Sequence, residues 1–256
     1  MILLALITVL IYMTVWFIIS LIIKRNDFVD VAWGLGFVVI AWVMFGYRPS
    51  LQLSLVVMLV TLWGTRLAIH ILLRNLKKDE DYRYKQWRKD WGKWFTVRSF
   101  LQVYMLQGLL MLFVSAPVIF LGRNGLDTLL PIHFLAVALW SIGFFFEAVG
   151  DYELRQFIKN PKNKGEIMQD GLWRYTRHPN YFGEVTQWWA IWLISFGSAW
   201  FIPAIIGPIT ISILILKVSG IPMLEAKYKG NKKFEVYKNR TSIFFPMPVK
   251  HNKKGL

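Results

Sequence analysis

The carboxyl-terminal half of the chain carries a dense run of charged and hydrogen-bonding side chains that could bind a nucleotide. Asp151 and Arg155 are four residues apart, so a helix would place both on one face. A later segment adds arginines, whose planar guanidinium groups suit phosphates, and side chains that could hydrogen-bond a ribose or a base. Its candidate residues are Arg174, Tyr175, Arg177, His178, Asn180, Tyr181 and Glu184. The alternative is a juxtamembrane anchor with structural ion pairs, and the residue types alone do not decide between the two.

Several common cofactor and metal sites are missing from the sequence. Gly34 and Gly36 are followed by Val39 where a dinucleotide-binding fingerprint needs a third glycine. The four histidines show no metal-ligand spacing, so we predict no metal site. The absence of cysteine excludes disulfides and cysteine nucleophiles. Any nucleotide must therefore be bound by something other than a Rossmann or P-loop unit.

Composition places these residues in an integral membrane protein. The chain has 256 residues, is 55% hydrophobic, and yet carries a net charge of +15. Its apolar residues form blocks long enough to cross a hydrocarbon core, which requires roughly 20 helical residues. We predict an all-α, polytopic fold with seven transmembrane helices and almost no loop between the last two. The alternative for the last two is one helical hairpin with a tight turn near Pro203. The predicted spans are residues 2–23, 28–45, 51–73, 100–121, 131–149, 183–201 and 202–221.

Charge placement predicts the orientation of these spans. With the amino terminus outside and the carboxyl terminus inside, 27 of the 30 Lys and Arg residues fall in inside segments. Arg48 and Arg123 lie outside, and Arg66 lies within the third span. This asymmetry follows the positive-inside rule. Because topology accounts for the basic charge and no nucleic-acid-binding motif accompanies it, we predict no nucleic-acid partner.

We interpret residues 1–256 as a single membrane domain with two regions. Residues 1–99 would hold three helices and an interfacial amphipathic helix, and residues 100–256 a four-helix region with the nucleotide-binding motifs. Aromatic residues in the polar segment recur at spacings of 3, 4 and 3, which predicts one aromatic face resting in the headgroup layer. These residues are Tyr84, Trp87, Trp91 and Trp94. A substrate gate is the alternative role for this helix.

Residues 171–184, together with Asp151-Tyr-Glu-Leu-Arg155, closely resemble the carboxyl-terminal domain of the steroid 5-alpha-reductase family. They are most similar to its bacterial branch, the membrane proteins of the DUF1295 group. The Arg-His-Pro-Asn-Tyr core at residues 177–181 is shared more loosely with sterol reductases and isoprenylcysteine carboxyl methyltransferases. The Asp151 and Arg155 pattern favours the reductases.

The resemblance implies an NADPH-dependent reductase of an activated carbon–carbon double bond in a lipid or steroid-like substrate. It implies a bacterial inner (cytoplasmic) membrane, with the cofactor in a cytosol-facing cavity between the last helices. The residues that match the family's cofactor contacts are Asp151, Arg155, Asn180 and Glu184. The segment at residues 225–240 resembles the closing segment of sterol reductases, which adds Tyr228 and Tyr237 as cofactor-binding candidates.

The substrate end of the chain departs from the family pattern. Steroid enzymes bind the substrate ketone with a Glu at the start of the second span and a Tyr on the third. By span order Asp30 stands for the Glu, and Trp63 takes the place of the Tyr. An indole N–H donates a hydrogen bond but no proton. We therefore predict Asp30 as the catalytic donor that would stabilise an enolate. The alternative is an ion pair of Asp30 with Lys24 or Arg25.

A second polar feature lies within the third predicted span. Arg66 and His70 are four residues apart on one helix face. Ionisable residues inside a membrane are usually functional. A structural pair with Glu147 explains them equally well.

Three functions fit these observations. The first is the NADPH-dependent reductase. The second is an S-adenosylmethionine-dependent membrane methyltransferase of the isoprenylcysteine type. The third is a non-catalytic membrane protein that binds a lipid or a partner.

Overall fold

The computed structural model describes residues 1–249. This part of the chain forms helices and contains no β-strand. The carboxyl terminus, which is predicted to lie inside, and His251 both fall outside the described residues. The α-helices are α1 (Ile2–Ile23), α2 (Val29–Tyr47), α3 (Leu51–Asn75), α4 (Tyr82–Trp91), α5 (Phe95–Ser99), α6 (Leu106–Val114), α7 (Ala116–Asn124), α8 (Pro131–Lys159), α9 (Pro179–Ile194), α10 (Phe201–Ala204), α11 (Ile206–Ile213), α12 (Ile221–Ala226) and α13 (Lys232–Arg240). Two π-helical segments, Phe100–Met105 and Leu214–Val218, join neighbouring helices.

Within residues 1–249, six helical stretches are long and apolar enough to cross a membrane. They are Ile2–Ile23, Asn26–Tyr47, Leu51–Asn75, Tyr82–Val114, Pro131–Lys159 and Phe201–Ala226. These stretches confirm the predicted all-helical integral membrane class. The predicted span at residues 183–201 has no counterpart among these six stretches. It corresponds to α9, which has 16 residues and is shorter than the six.

Two predicted span boundaries differ in the structure. The predicted span at residues 100–121 is interrupted at Ser115. Pro117 lies at the second position of the next helix, because proline lacks the N–H that would continue the hydrogen-bond ladder. The tight turn lies at residues 195–200 instead of at Pro203. Gly197 there has φ +86°, a left-handed conformation that favours glycine, whereas Pro203 lies in the first turn of α10.

The chain folds as two compact units. The first unit contains Met1–Pro131 and Ile194–Gly207. The second contains Ile132–Leu193 and the chain from Pro208 onward. The second unit therefore holds all the predicted nucleotide-binding residues, and the first holds Asp30.

Close packing of α2 on α3 organises the first unit. A Cβ atom on Gly34 would lie 2.7 Å from the carbonyl oxygen of Gly64, so the two backbones are in direct contact there. Beside this contact, Phe37 packs edge-on against Trp63, with ring centroids 5.5 Å apart. Trp63, predicted to take the place of the substrate-binding tyrosine, is buried.

The predicted aromatic face of the polar segment forms only in part. Tyr84 contacts Trp87, and Trp87 stacks on Trp91 with centroids 5.2 Å apart. Trp94 is 57% exposed, and Phe95 continues the row. The reason is Gly92, whose φ of +47° ends α4 and changes the register of the residues that follow.

Candidate functional site

The second unit joins the two predicted motifs at the packed ends of α8 and α9. The side-chain amide of Asn180 donates a hydrogen bond to Asp151 Oδ1 over 3.1 Å. The amide oxygen of Asn180 accepts from the backbone N–H of Tyr181. Both Asn180 groups are therefore fixed, and the buried Asp151 carboxylate is held in place. Gly150 permits this approach, since a Cβ atom there would lie 3.0 Å from Pro179.

Arg177 and His178, immediately before α9, share one carboxylate on α12. Arg177 Nε donates to Glu225 Oε1 over 2.9 Å, and His178 Nε2 lies 3.0 Å from the same oxygen. A carboxylate only accepts, so His178 Nε2 carries a proton and donates it to Glu225 Oε1. His178 Nδ1 is buried and has no hydrogen-bond partner among residues 1–249.

The Arg177 guanidinium also holds the carboxyl-terminal tail, residues 238–247, in place. Its Nη1 donates to the carbonyl oxygens of Lys238 and Thr241 at 3.0 and 2.9 Å. The backbone N–H of Arg177 donates to Ser242 O over 2.9 Å. Arg177 is 6% exposed, so most of its donors are committed inside the protein. These bonds hold the tail against the start of α9, and the phosphate contact that the residue type of Arg177 suggested stays a prediction.

Further bonds extend the same attachment of the tail. Thr176 Oγ1 donates to Phe244 O over 2.8 Å, and Met247 N–H donates to Tyr175 O over 2.9 Å. The phenol of Tyr237 is buried and donates to Trp173 O. Burial raises the pKa of Tyr237 above its usual range. Tyr237 thus packs the loop against the tail, and its phenol is directed at the protein backbone.

Three predicted residues remain accessible at this end of the unit. Arg155, Arg174 and Tyr175 are all exposed. Arg155 lies one turn beyond Asp151 on α8, and its guanidinium lies 5.9 Å from the ring centroid of Tyr152. Exposed guanidinium groups beside a fixed carboxylate–amide pair can bind an anionic group such as a phosphate.

The other predicted residues lie on α9 and near α13. Tyr181 stacks on the His178 ring, with centroids 5.7 Å apart and planes inclined by 23°. Glu184 is half-buried, one turn after Asn180 on α9. Tyr228 is 42% exposed and stacks on Phe234. The structure brings Asp151, Asn180, His178 and Tyr181 together, and it leaves Tyr228 on the surface.

A second carboxylate–amide pair lies deeper between α8 and α9. Gln187 Nε2 donates to Glu147 Oε2 over 2.6 Å, and both residues are buried. The predicted candidate residues did not include Gln187. Its signal in the sequence is the seven-residue spacing from Asn180, which returns to the same face of a helix.

Asp30 lies in the first unit, near the start of α2. Its Oδ2 is 3.9 Å from Arg74 Nη2, a long and partly exposed ion pair. Arg25, one of its two predicted partners, binds Asp27 over 2.7 Å and the carbonyl of Asn75 over 3.1 Å. The partner of Asp30 is therefore Arg74, because Arg25 is held by the closer Asp27 carboxylate.

Comparison with known proteins gives a family match and one remote relative. A family model described as "Protein of unknown function (DUF1295)" matches residues 16–241, which include every predicted site residue. An uncharacterized protein of Schizosaccharomyces pombe is 24% identical over 233 residues. That alignment covers 78% of this chain and 65% of the relative, so the chain spans less than two thirds of the relative's length. No solved structure matches the chain.

Proposed function

The chain belongs to the DUF1295 family, and we propose that it is a membrane-embedded, NADPH-dependent reductase of an activated carbon–carbon double bond in a lipid or steroid-like substrate. One observation carries this proposal. Asp151 and Asn180, from two motifs that resemble the steroid 5-alpha-reductase cofactor site, meet over 3.1 Å in the second unit. Two segments that separately resemble the cofactor site in sequence are therefore in contact within the second unit.

The residues around this contact fit the chemical groups of NADPH. Exposed Arg155 and Arg174 offer charged donors for phosphates. The buried His178 Nδ1 has no partner among residues 1–249, and a ribose hydroxyl, which both donates and accepts, is able to bind it. When bound, NADPH would supply the hydride that reduces the double bond.

Arg177 and Tyr237 serve this site indirectly. They hold residues 173–177 against the tail, so that His178 and Asn180 enter α9 in a fixed orientation. Preorganisation of this kind strengthens binding because less freedom is lost when the ligand arrives.

We propose Asp30 as the group that polarises the substrate, within the first unit. A carboxyl group that hydrogen-bonds a carbonyl oxygen stabilises the negative charge that develops there. The 3.9 Å separation from Arg74 leaves the carboxyl group only weakly tied to its ion-pair partner.

The finer topology belongs to the same proposal. We propose that α9 is a seventh, short span and that the amino terminus is outside. A helix of 16 residues is roughly 24 Å long, against a hydrocarbon core of roughly 30 Å. The clustering of 27 of 30 Lys and Arg residues in the inside segments supports this orientation. In a bacterial inner membrane, it would direct the candidate site towards the cytosol.

A thermal-shift experiment on detergent-purified protein tests the proposed function. A ligand that binds only the folded state stabilises it by about 2.7 kcal/mol at a hundred times its Kd. We expect NADPH to raise the melting temperature and S-adenosylmethionine to leave it unchanged. Stabilisation by S-adenosylmethionine alone would favour the methyltransferase, and stabilisation by neither would favour a non-catalytic binding protein.

A further inference from the structure

The buried pair of Glu147 and Gln187 presents a fixed hydrogen-bond acceptor. Gln187 Nε2 donates to Glu147 Oε2 over 2.6 Å and to Gly183 O over 3.3 Å. The opposite amide orientation would direct the amide oxygen at the carboxylate, and two acceptors repel each other. The contact with Glu147 therefore directs Nε2 of Gln187 towards the carboxylate and leaves Oε1 facing away from the carboxylate.

That acceptor has no partner in the described chain. Gln187 is 1% exposed, and its Oε1 accepts no hydrogen bond from residues 1–249. A buried acceptor without a donor is costly, and the membrane interior offers no water to satisfy it. The atom therefore fits a ligand that brings an N–H or O–H group.

Backbone contact between α8 and α9 fixes the position of this pair. A Cβ atom on Gly143 would lie 2.7 Å from Gly183 O and 3.0 Å from Gln187 N. The two helices are therefore as close as backbones can pack, one turn away from the pair. Gln187 is supported by rigid elements, as a specific ligand contact requires.

The order of polar groups along the two helices gives the direction of a bound dinucleotide. From the exposed end inward come Arg155, then Asp151 with Asn180, then Glu147 with Gln187. Seven residues separate Asn180 from Gln187, roughly 10 Å along a helix. Charged phosphates belong at the exposed end, and the uncharged dihydronicotinamide ring must reach a lipid substrate. The ring end thus belongs near Gln187, and the ring carries a carboxamide with two N–H donors.

We propose that Gln187 Oε1 accepts a hydrogen bond from the carboxamide of the nicotinamide ring, with Glu147 as the positioning residue that orients the amide. This inference rests on the proposed function. It adds a recognition element for the ring itself, separate from the residues that would hold the phosphates and ribose.

Competitive binding with matched probes tests this contact without any substrate. The probes are NADP⁺, its 3-acetylpyridine analogue, in which a methyl ketone replaces the carboxamide, and 2′-phospho-ADP-ribose, which has no ring. We expect the wild type to bind NADP⁺ about tenfold more tightly than the analogue, the effect of one hydrogen bond. Gln187→Met should bind both equally, and it should bind 2′-phospho-ADP-ribose as tightly as the wild type.

Two outcomes overturn the inference in different ways. If Gln187→Met still prefers NADP⁺ tenfold, the carboxamide is recognised elsewhere, and Gln187 serves another donor such as a lipid hydroxyl. If the wild type binds none of the three probes, the proposed function fails as well. Glu147→Gln provides a second variant should Gln187→Met not fold. It should reduce the preference for NADP⁺ by freeing the amide to rotate, and an unchanged preference would contradict the positioning role.

Discussion

Asn180 at the start of α9 donates its side-chain amide to Asp151 on α8 over 3.1 Å, although 29 residues separate the two in the chain. Asp151 is buried, so this bond joins two segments that resemble a cofactor site and fixes their geometry before any ligand binds.

Removing the amide of Asn180 should weaken NADPH binding. Asn180→Ala removes the donor that holds the Asp151 carboxylate in place, so the site would no longer be preorganised for the cofactor. We expect roughly ten- to hundredfold weaker binding in an equilibrium titration with NADPH. The matched control is Asn239→Ala, at an exposed position of α13. Equal affinity of both variants and the wild type would show that the contact with Asp151 is not part of a cofactor site.

Arg177 and Arg174 should respond differently to replacement by alanine. Arg177→Ala leaves Glu225 without its guanidinium partner and frees two carbonyl groups of the tail, at Lys238 and Thr241. Breaking such a buried pair costs about 3–5 kcal/mol, so thermal unfolding should occur at a clearly lower temperature.

The exposed Arg174 supplies the comparison. Arg174→Ala should have the melting temperature of the wild type. It should bind NADPH more weakly, because a phosphate loses one charged donor. A wild-type melting temperature for Arg177→Ala would contradict its positioning role. Unchanged NADPH affinity for Arg174→Ala would remove that residue from the site.

The sequence predicted those features of the fold that depend on one helix alone. A hydrocarbon core demands roughly 20 apolar residues per helix, so the predicted second span at residues 28–45 corresponds to the observed stretch Asn26–Tyr47. The resemblance implied that Asp151 and Asn180 contact the same cofactor, and in the structure their side chains are hydrogen-bonded over 3.1 Å. Whether these residues bind a cofactor stays a prediction.

Features that depend on distant partners could not be read from the sequence. Arg177 has the residue type of a phosphate ligand, but its partner Glu225 lies 48 positions away on α12. The exposure of Trp94 follows from the backbone of Gly92, which a helical spacing rule does not anticipate. Asp30 pairs with Arg74 because the nearer Arg25 is held by Asp27.

Asp30→Asn should slow reduction strongly and leave the fold intact. The long ion pair with Arg74 is partly exposed, so its loss should cost at most about 1 kcal/mol of stability. A proton donor of matched acidity contributes typically 10²–10⁴-fold to a rate, and we expect turnover to fall by that factor. NADPH affinity should not change. Asp79→Asn, whose carboxylate is 92% exposed, is the control. Normal turnover by Asp30→Asn would leave Asp30 with a structural role only.

Reporter fusions should report the predicted orientation of the spans. Fusions after Arg48 and Arg123 should lie outside, and fusions after Lys78 and Lys164 should lie inside. A fusion after Lys253, outside the described residues, should also lie inside. The fusion after Lys164 is the most informative, because its side depends on the helix Pro131–Lys159 crossing fully. A reversed reading at full-length expression would contradict the seven-span topology.

Transfer of deuterium from labelled NADPH to a lipid tests the proposed reductase most directly. Purified protein would be incubated with NADPH deuterated at C4 and a lipid extract of its own cells, and the lipids analysed by mass spectrometry. We predict a lipid that gains one deuterium from the cofactor and one proton from water, with the double bond lost. The same product should form about 10²–10⁴-fold more slowly with Asp30→Asn. If no lipid acquires deuterium while the protein remains folded and saturated with NADPH, the chain is not a reductase of these lipids.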